Sequence, residues 1–218
     1  MPEQLVDLSH VIYDGMPKIP VLSDVHVVKF FSLEKGNPLN VTEISLPCHS
    51  GTHVDAPVHI VADGKSIEEI PLESFIGPGA VISVKKRGGE EVTAKELTDS
   101  GVPVHEGDIL MLFTGWDEKF ESPDYNLHPY LSRDAAEWIV EKKVKIFGID
   151  CITVDLPTPM RQKGFDFPVH KILLGNDVLI AENVTNLGKI VGKKSKIFAF
   201  PLKVRGSDAA HARIFAEV

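Results

Sequence analysis

The chain has 218 residues, 43% of them hydrophobic and 25% charged, which predicts one globular domain over residues 1–218. Lys and Arg number 23 against 31 for Asp and Glu, a formal net charge of -8 with no basic stripe, so we expect no nucleic-acid partner. The sequence contains no run of about 18 apolar residues, so we expect no membrane span. The acidic N-terminus MPEQLVDLSH lacks the charge pattern of an export signal, so we expect a cytoplasmic protein.

Apolar runs in the first half of the chain predict mainly strands. Runs that are rich in Val, Phe or β-branched residues predict strands over residues 24–33, 40–46, 79–84 and 108–113. Before the last of these, Thr93-Ala-Lys-Glu96 has the spacing of a capping box, so a short helix is expected to begin there.

The second half of the chain alternates helix and strand. Ser132 is a candidate N-cap for a helix through residue 143, and residues 168–174 predict one or two helical turns. Four short apolar runs predict strands, over residues 144–149, 178–181, 195–204 and 209–216. The order of elements indicates a single mixed α/β domain with more strand than helix.

The stretch CHSGTHVDAPVH concentrates the chemistry of the chain. It holds three of the nine histidines and one carboxylate: His49, His53, Asp55 and His59. Its Gly, Thr, Val and Pro residues disfavour a helix, so an extended segment or tight loop is expected. His53 and Asp55 would then share a face, and a bend at Gly51 would let His49 join them around one ion.

Two imidazoles and a carboxylate form a mixed nitrogen and oxygen ligand set. Such a set suits zinc, and also manganese or ferrous iron, and three ligands leave positions open for water. Chance clustering of ordinary histidines is the alternative, which we consider weaker for three histidines within eleven residues. The adjoining Cys48 could be a ligand or nucleophile, but a small buried residue is favoured because no base is evident for it.

The same stretch matches the pattern H-x-G-T-H-x-D-x-P-x-H and resembles the cyclase-like metal hydrolases, which include bacterial kynurenine formamidases and isatin hydrolases. The resemblance runs along most of the chain. It includes DLSH near the N-terminus, GIDCITVD at residues 148–155 and PVHKILLGNDVLIAENVTNL at residues 168–187. It implies a swivelling β/β/α fold and a homo-oligomer, commonly a dimer or tetramer.

The resemblance also implies roles for six residues. Five would ligate one or two divalent ions per chain, zinc in the first place and manganese as the alternative: His49, His53, Asp55, His170 and Glu182. Asp55 would bridge the ions, and His59 matches the family's proton donor and acceptor. From the residues alone, Glu182 closes the apolar run VLIAE, where an unpaired carboxylate would be costly to bury.

The remaining polar residues near these motifs receive weaker expectations. Asp150 and Asp155 are expected to form structural hydrogen bonds instead of binding a metal directly. The other histidines are expected to have no role in the site, although His211 follows a Gly-Ser-Asp turn that could lie near it.

The ligand set and His59 together predict hydrolysis of an amide bond, and the resemblance implies that this amide is attached to an aromatic amine. A metal ion lowers the pKa of bound water toward about 7, and His59 could protonate the departing nitrogen. The resemblance favours a kynurenine formamidase-like reaction, N-formylkynurenine to kynurenine and formate. Isatin hydrolase-like opening of a cyclic amide stays open, because GMPKIPVLSD at residues 15–24 lacks the aromatic residue of many kynurenine formamidases. A non-catalytic metal-binding protein on the same fold is the second alternative.

Overall fold

The structure is a computed structural model that describes residues 4–218. The described strands are β1 (Leu5–Asp7), β2 (His26–Phe31), β3 (Val41–Ser45), β4 (His53–Asp55), β5 (Ile76–Ser83), β6 (Glu91–Val92), β7 (Ile109–Phe113), β8 (Tyr130–Leu131), β9 (Ile146–Ile149), β10 (Leu179–Glu182), β11 (Ser195–Phe198), β12 (Ala209–His211) and β13 (Phe215–Glu217). The α-helices are α1 (Ala94–Asp99), α2 (Arg133–Glu141) and α3 (Pro168–Leu174). Strand outweighs helix, as the sequence predicts.

Nine of these strands form one mixed sheet in the order β1-β13-β11-β5-β7-β9-β10-β4-β12. The four central strands, β5, β7, β9 and β10, run parallel to one another. The outer strands pair antiparallel, so β4 lies antiparallel to both of its neighbours, β10 and β12. Two small sheets complete the described fold, the antiparallel pair β2-β3 and the parallel pair β6-β8.

The large sheet is strongly curled. Strands β12 and β13 are consecutive in the chain, yet they are seven positions apart in the sheet order. In a flat sheet that separation would be about 34 Å at roughly 4.8 Å per strand. Four residue steps join His211 to Phe215 and span at most about 14 Å, so the sheet must curl until its two ends approach each other.

The curl divides the apolar core into two clusters. Along β7, Leu110 and Leu112 pack in the cluster that contains the buried residues of α1, α2 and α3. The alternate residues Ile109 and Met111 pack in a second cluster on the opposite face, inside the curl. Side chains alternate in this way because successive residues of a strand point to opposite faces of the sheet.

The predicted helix starts are confirmed by their hydrogen bonds. The Thr93 side chain accepts from the Glu96 amide at 3.4 Å, while the Glu96 carboxylate accepts from the Thr93 amide at 3.0 Å, which completes the capping box before α1. Ser132 caps α2 by accepting from the Ala135 amide at 3.2 Å. Helix α2 ends before residue 143, because Lys143 has a φ of 53° and leaves the helical conformation.

Two predicted strand boundaries are wrong. The run 209–216 is not one strand but two, because residues 212–214 cross from one end of the curled sheet to the other. The run 195–204 ends as a strand at Phe198, and Pro201 beyond it forms only an isolated bridge with Ala212. Proline has no amide hydrogen to extend a ladder.

The described residues contain no helix that is both long enough and apolar enough to cross a lipid bilayer.

Candidate metal centre

Strand β4 places two of the predicted site residues on one face. His53 and Asp55 point to the helix-bearing side of the sheet, and Val54 between them packs in the inner core. Gly51 precedes the strand with a φ of 62°, the left-handed region that favours glycine. The expected extended segment with a bend at Gly51 is therefore confirmed.

The neighbouring strand β10 brings a second carboxylate to the same place. Glu182, its last residue, is the register partner of His53. The Glu182 carboxylate lies 3.6 Å from His53 Nε2, and it accepts a hydrogen bond from the Val154 amide at 3.0 Å. The sequence therefore places Glu182 correctly as a buried carboxylate with partners.

The ligand atoms form two groups that share Asp55. In one group, the atoms of His49, Asp55 and His59 all lie within 4.8 Å of one another, and in the other the same holds for His53, Asp55 and Glu182. Asp55 Oδ1 lies 3.0 Å from His49 Nδ1 and 3.2 Å from His53 Nε2. The arrangement suits two neighbouring cation positions with Asp55 between them.

Helix α3 supplies the fourth imidazole. His170 Nε2 points at the shared carboxylates, 3.4 Å from Glu182 and 3.8 Å from Asp55. Its other ring nitrogen, Nδ1, donates to Asp155 at 2.6 Å, and Asp155 also accepts from the backbone amides of Val169 and His170. Asp155 thus fixes both the start of α3 and the tautomer of His170, which is the hydrogen-bonding role expected for it.

Several ligand atoms have no hydrogen-bond partner in the described structure. His53 Nε2 and both carboxylate oxygens of Asp55 are buried and unpaired, and both side chains are 0% exposed. Burying such atoms without a partner costs several kcal/mol by rough estimate. A divalent cation between them would satisfy all three, and the mixed nitrogen and oxygen donors fit zinc or manganese.

The electrostatics of the cluster also favour positive charge. Burial alone would raise the pKa of Asp55, but the imidazoles of His53 and His49 hold it well below its usual range. Burial alone would lower the pKa of His49 and His170, but the surrounding carboxylates raise both to about 10. Protons and a metal ion therefore compete for the same nitrogens.

His59 lies beside the cluster and faces solvent in part. It ends a short 3-10 turn, Pro57–His59, and its side chain is 27% exposed. The ring lies 4.1 Å from that of His49 and 5.5 Å from that of His170. Burial lowers the pKa of His59, with Asp55 partly offsetting it, so the neutral imidazole is available as a proton acceptor near pH 7.

Asp208 joins two of these histidines and was missed by the sequence analysis. Its Oδ2 accepts from His49 Nε2 at 2.9 Å and from His59 Nδ1 at 3.2 Å. Asp208 stands just before β12 and lies within the Gly-Ser-Asp turn noted ahead of His211. That turn was the only signal in the sequence, because 149 positions separate Asp208 from His59.

Asn183, a second residue that the sequence analysis missed, shares a hydrogen-bond acceptor with His53. His53 Nδ1 donates to the Gly51 carbonyl at 2.8 Å, and Asn183 Nδ2 donates to the same oxygen at 3.0 Å. The hydroxyl of Tyr125 in turn donates to Asn183 Oδ1 at 2.8 Å. This chain of bonds keeps the Nδ1–H tautomer of His53 and directs Nε2 to the cluster.

The other residues considered from the sequence lie outside the two ligand groups. Asp150 accepts from the amides of residues 114–116 and has a structural role, and burial raises its pKa to about 6. His211 lies opposite His53 on β12, with a buried Nε2 that has no hydrogen-bond partner. Cys48 is half-buried, 3.5 Å from the Ser207 hydroxyl.

A pocket of about 260 Å³ opens onto the cluster. His49, His59 and Glu182 form its polar end, and its walls are mainly apolar, with four aliphatic side chains and Phe167. Arg161 is the one arginine among the residues that line it, and no lysine lines it. Of the six site residues predicted from the sequence, three therefore meet this pocket, and the other three lie directly behind them.

Comparison with known proteins gives a consistent result. The family model described as "Putative cyclase" matches residues 6–156. Kynurenine formamidase from Erythrobacter litoralis (strain HTCC2594) is 28% identical over 208 residues, which cover 95% of this chain and 90% of that protein. Kynurenine formamidase from Bacillus cereus (strain ATCC 10987) is 30% identical over 180 residues, covering 83% of this chain and 81% of that protein.

Solved structures share the same fold. Isatin hydrolase A from Ralstonia solanacearum superimposes with a TM-score of 0.88 at 22% identity, over 99% of this chain and 92% of that one. A structure described as a potential metal-dependent hydrolase with cyclase activity gives a TM-score of 0.78 at 26% identity, over 99% of this chain and 98% of that one. The curled mixed sheet is thus a shared architecture.

Proposed function

The chain belongs to the putative cyclase family, and we propose that it is a metal-dependent hydrolase of an amide bond to an aromatic amine. The reaction would be kynurenine formamidase-like, releasing formate from N-formylkynurenine, as the names of its relatives suggest. The observation that carries the proposal is the pair of ligand groups sharing Asp55, with buried unpaired ligand atoms next to an open pocket.

Five residues would hold the metal: His49, His53, Asp55, His170 and Glu182. A divalent ion bound there would acidify a water molecule and polarise the substrate carbonyl. Asp155 holds His170, and the Gly51 carbonyl holds His53, in the tautomers that leave Nε2 free toward the centre, and Asn183 donates to the same Gly51 carbonyl.

The chain's own acid–base work falls to His59. Its partly exposed ring borders the pocket, and Asp208 accepts the Nδ1 proton, so Nε2 is the nitrogen free to take a proton from the attacking water. The same nitrogen can pass the proton to the departing amine. An aryl amine is weakly basic, and its expulsion requires protonation at nitrogen. The apolar walls of the pocket would hold the aromatic ring and exclude water around the reacting amide.

The metal, the number of ions and the assembly complete the proposal. We assign zinc as the metal, with manganese as the alternative. We assign two ions per chain, because Asp55 Oδ1 lies 3.0 Å from His49 Nδ1 and 3.2 Å from His53 Nε2 while Oδ2 lies 3.8 Å from His170 Nε2, so this carboxylate is within reach of ligands on several sides. We also propose a homodimer or homotetramer in the cytoplasm, folded as a single domain over residues 1–218. The oligomer is supported by the β2-β3 pair, where Val28, Phe30 and Ile44 are exposed.

An assay of candidate substrates tests the function. Metal-loaded protein should release formate from N-formylkynurenine and from simple aryl formamides, with hydrolysis of isatin slower. Preferential opening of isatin would replace the formamidase assignment with the cyclic-amide alternative. Metal binding without hydrolysis of any of these amides would favour the non-catalytic metal-binding protein.

A further inference from the structure

Arg161 is a cation of the substrate pocket that the metal centre does not use. It follows a 3-10 turn, Thr158–Met160, and its Nε donates to the Leu156 carbonyl at 2.7 Å. The guanidinium lies over two aromatic rings, 4.8 Å from the centre of Phe167 and 5.1 Å from that of Phe165. Aromatic contacts and the Nε bond together hold the group in one place.

The terminal amino groups of Arg161 have no protein partner in the described structure. Among residues 4–218, no carboxylate oxygen lies within 4.0 Å of them, and they donate no hydrogen bond to a protein acceptor. Arg161 is nevertheless half-buried in the wall of the 260 Å³ pocket. Planar guanidinium groups pair well with carboxylates through two parallel hydrogen bonds, so this one is free to receive an anion.

The backbone at Phe167 is shaped to hold this arrangement. Phe167 has a φ of 51° and ψ of 59°, the left-handed region that a bulky side chain rarely adopts. Its ring lies between the guanidinium and His170, whose ring is 6.0 Å away at 90°. Such conformations cost roughly 1–3 kcal/mol and cluster at ligand sites.

The pocket therefore has two polar regions joined by apolar walls. One region is formed by His49, His59 and Glu182, where the amide would react, and the other is Arg161. We propose that Arg161 binds a carboxylate on the substrate, so that the enzyme acts on aromatic amides that carry a carboxylate away from the scissile bond. This inference rests on the proposed function and narrows its substrate class.

A carboxylate site at Arg161 would distinguish the two candidate substrates by their charge. N-formylkynurenine carries a carboxylate on the side chain of its aromatic ring, and isatin carries none. Arg161 thus favours the former, through an interaction that the metal ligands cannot provide. The competing explanation is that Arg161 only balances the negative charges of Asp155 and Glu182. Burial lowers the pKa of Arg161, and the fields of these two carboxylates oppose that shift.

A binding experiment distinguishes these explanations without relying on hydrolysis. Two probes differ only in charge, 4-oxo-4-phenylbutanoate and its neutral amide, 4-oxo-4-phenylbutanamide. Calorimetry would measure their affinities for the metal-loaded wild type, Arg161→Gln, Arg161→Lys and a control, Arg133→Gln, which removes an exposed arginine outside this pocket.

The wild type should prefer the carboxylate at least about tenfold, the size of a charge-assisted hydrogen-bonded pair. Arg161→Gln should weaken carboxylate binding about 10- to 100-fold more than amide binding, Arg161→Lys should lie between, and Arg133→Gln should follow the wild type. Equal weakening of both probes would overturn the proposal in favour of charge balance. A carboxylate preference that survives in Arg161→Gln, or no binding of either probe to the wild type, would overturn it as well.

Formate release from 4-(2-formamidophenyl)-4-oxobutanoate, measured in parallel, separates this inference from the proposed function. Charge-selective binding without formate release would contradict the hydrolase assignment and support the role of Arg161. Formate release with no difference between this substrate and its neutral amide would contradict the role of Arg161 alone.

Discussion

At the residue scale, the site is organised around one carboxylate. Asp55 is fully buried, and both of its oxygens lack a hydrogen-bond partner, although imidazole nitrogens lie 3.0 and 3.2 Å from one of them. These oxygens are buried beside three imidazoles and a second carboxylate, and a divalent cation is the partner that fits them. His59 is more exposed than any of the ligands, with 27% of its side chain exposed against 15% for His49.

Replacing His59 tests whether it moves protons or binds metal. The structure permits both roles, since its ring nitrogen belongs to the group formed with His49 and Asp55. We expect His59→Asn to keep its metal while kcat falls about 10²–10⁴-fold, the usual cost of losing a general acid–base group. Substrates with better leaving groups should lose less rate. Elemental analysis and steady-state kinetics measure both quantities, and a variant without metal would make His59 a ligand.

His128 predicts how stability changes in acid. It is buried, and desolvation lowers its pKa from 6.5 to about 4, while Nδ1 donates to the Pro129 carbonyl at 2.7 Å. Between pH 6.5 and 4 the unfolded chain binds the extra proton, so the free energy of unfolding falls as pH falls. The free energy of unfolding lost across this pH window through His128 is roughly 3 kcal/mol. His128→Asn should lose less stability over this window than the wild type.

Denaturant unfolding of metal-free protein at several pH values would measure the difference. Asp150, whose pKa is raised to about 6, titrates in the same window in both proteins and cancels in the comparison. His105→Asn, which removes a largely exposed histidine, is the matched control. If the free energy of unfolding changes with pH by the same amount in the wild type and in His128→Asn, His128 does not titrate as described.

At the element scale, local patterns predicted local structure well. The capping box before α1, the Ser132 cap and the extended histidine stretch depend on neighbours within a few residues, and all three are confirmed. The prediction of one strand over residues 209–216 was wrong, because the division of this run into two strands depends on the curl of the whole sheet. The sequence analysis missed Asp208 and Asn183 for the same reason, since His59 is 149 positions from Asp208 and Gly51 is 132 positions from Asn183.

The end of β10 offers a test of how support residues act on the metal. Asn183→Ala would remove the acceptor of the Tyr125 hydroxyl and one of the donors to the Gly51 carbonyl. It would also place alanine at a φ of 54°. We expect metal affinity to fall about 10- to 100-fold. Asn183→Gly relieves the backbone strain, worth about 1 kcal/mol, but lacks the amide. It should recover stability without recovering affinity.

Competition with a chromophoric chelator would give the affinities, and denaturant unfolding would give the stabilities. Wild-type metal affinity in Asn183→Gly would mean that the side-chain amide does not help to orient His53.

At the scale of the whole molecule, the curl of the sheet assembles the site from distant parts of the chain. Strand β4 from the first quarter lies between β10 and β12 from the last quarter, and α3 closes the cluster from the helix side. Outside this body, β2 and β3 form a separate pair that leaves large apolar side chains exposed, with Phe30 61% exposed.

These exposed side chains predict the behaviour of the protein in solution. Exposed large apolar side chains grouped on one strand pair are typical of an interface, and we expect light scattering to give the mass of a dimer or tetramer. Phe30→Glu should shift the mass toward the monomer, because it places a charge in the contact. Glu137→Gln changes an exposed charge on α2, outside this strand pair, and serves as the control. A monomeric wild type would contradict the oligomer.

The central claim is that the Asp55-centred site needs a divalent metal to hydrolyse an aryl amide. The most direct test is to titrate metal-free protein with zinc or manganese while measuring formate release from N-formylkynurenine. We expect no activity without metal, a rise in activity with added ions that stops at about two per chain, and no rise for His53→Ala. Hydrolysis by metal-free protein, or bound metal without hydrolysis at any loading, would contradict it.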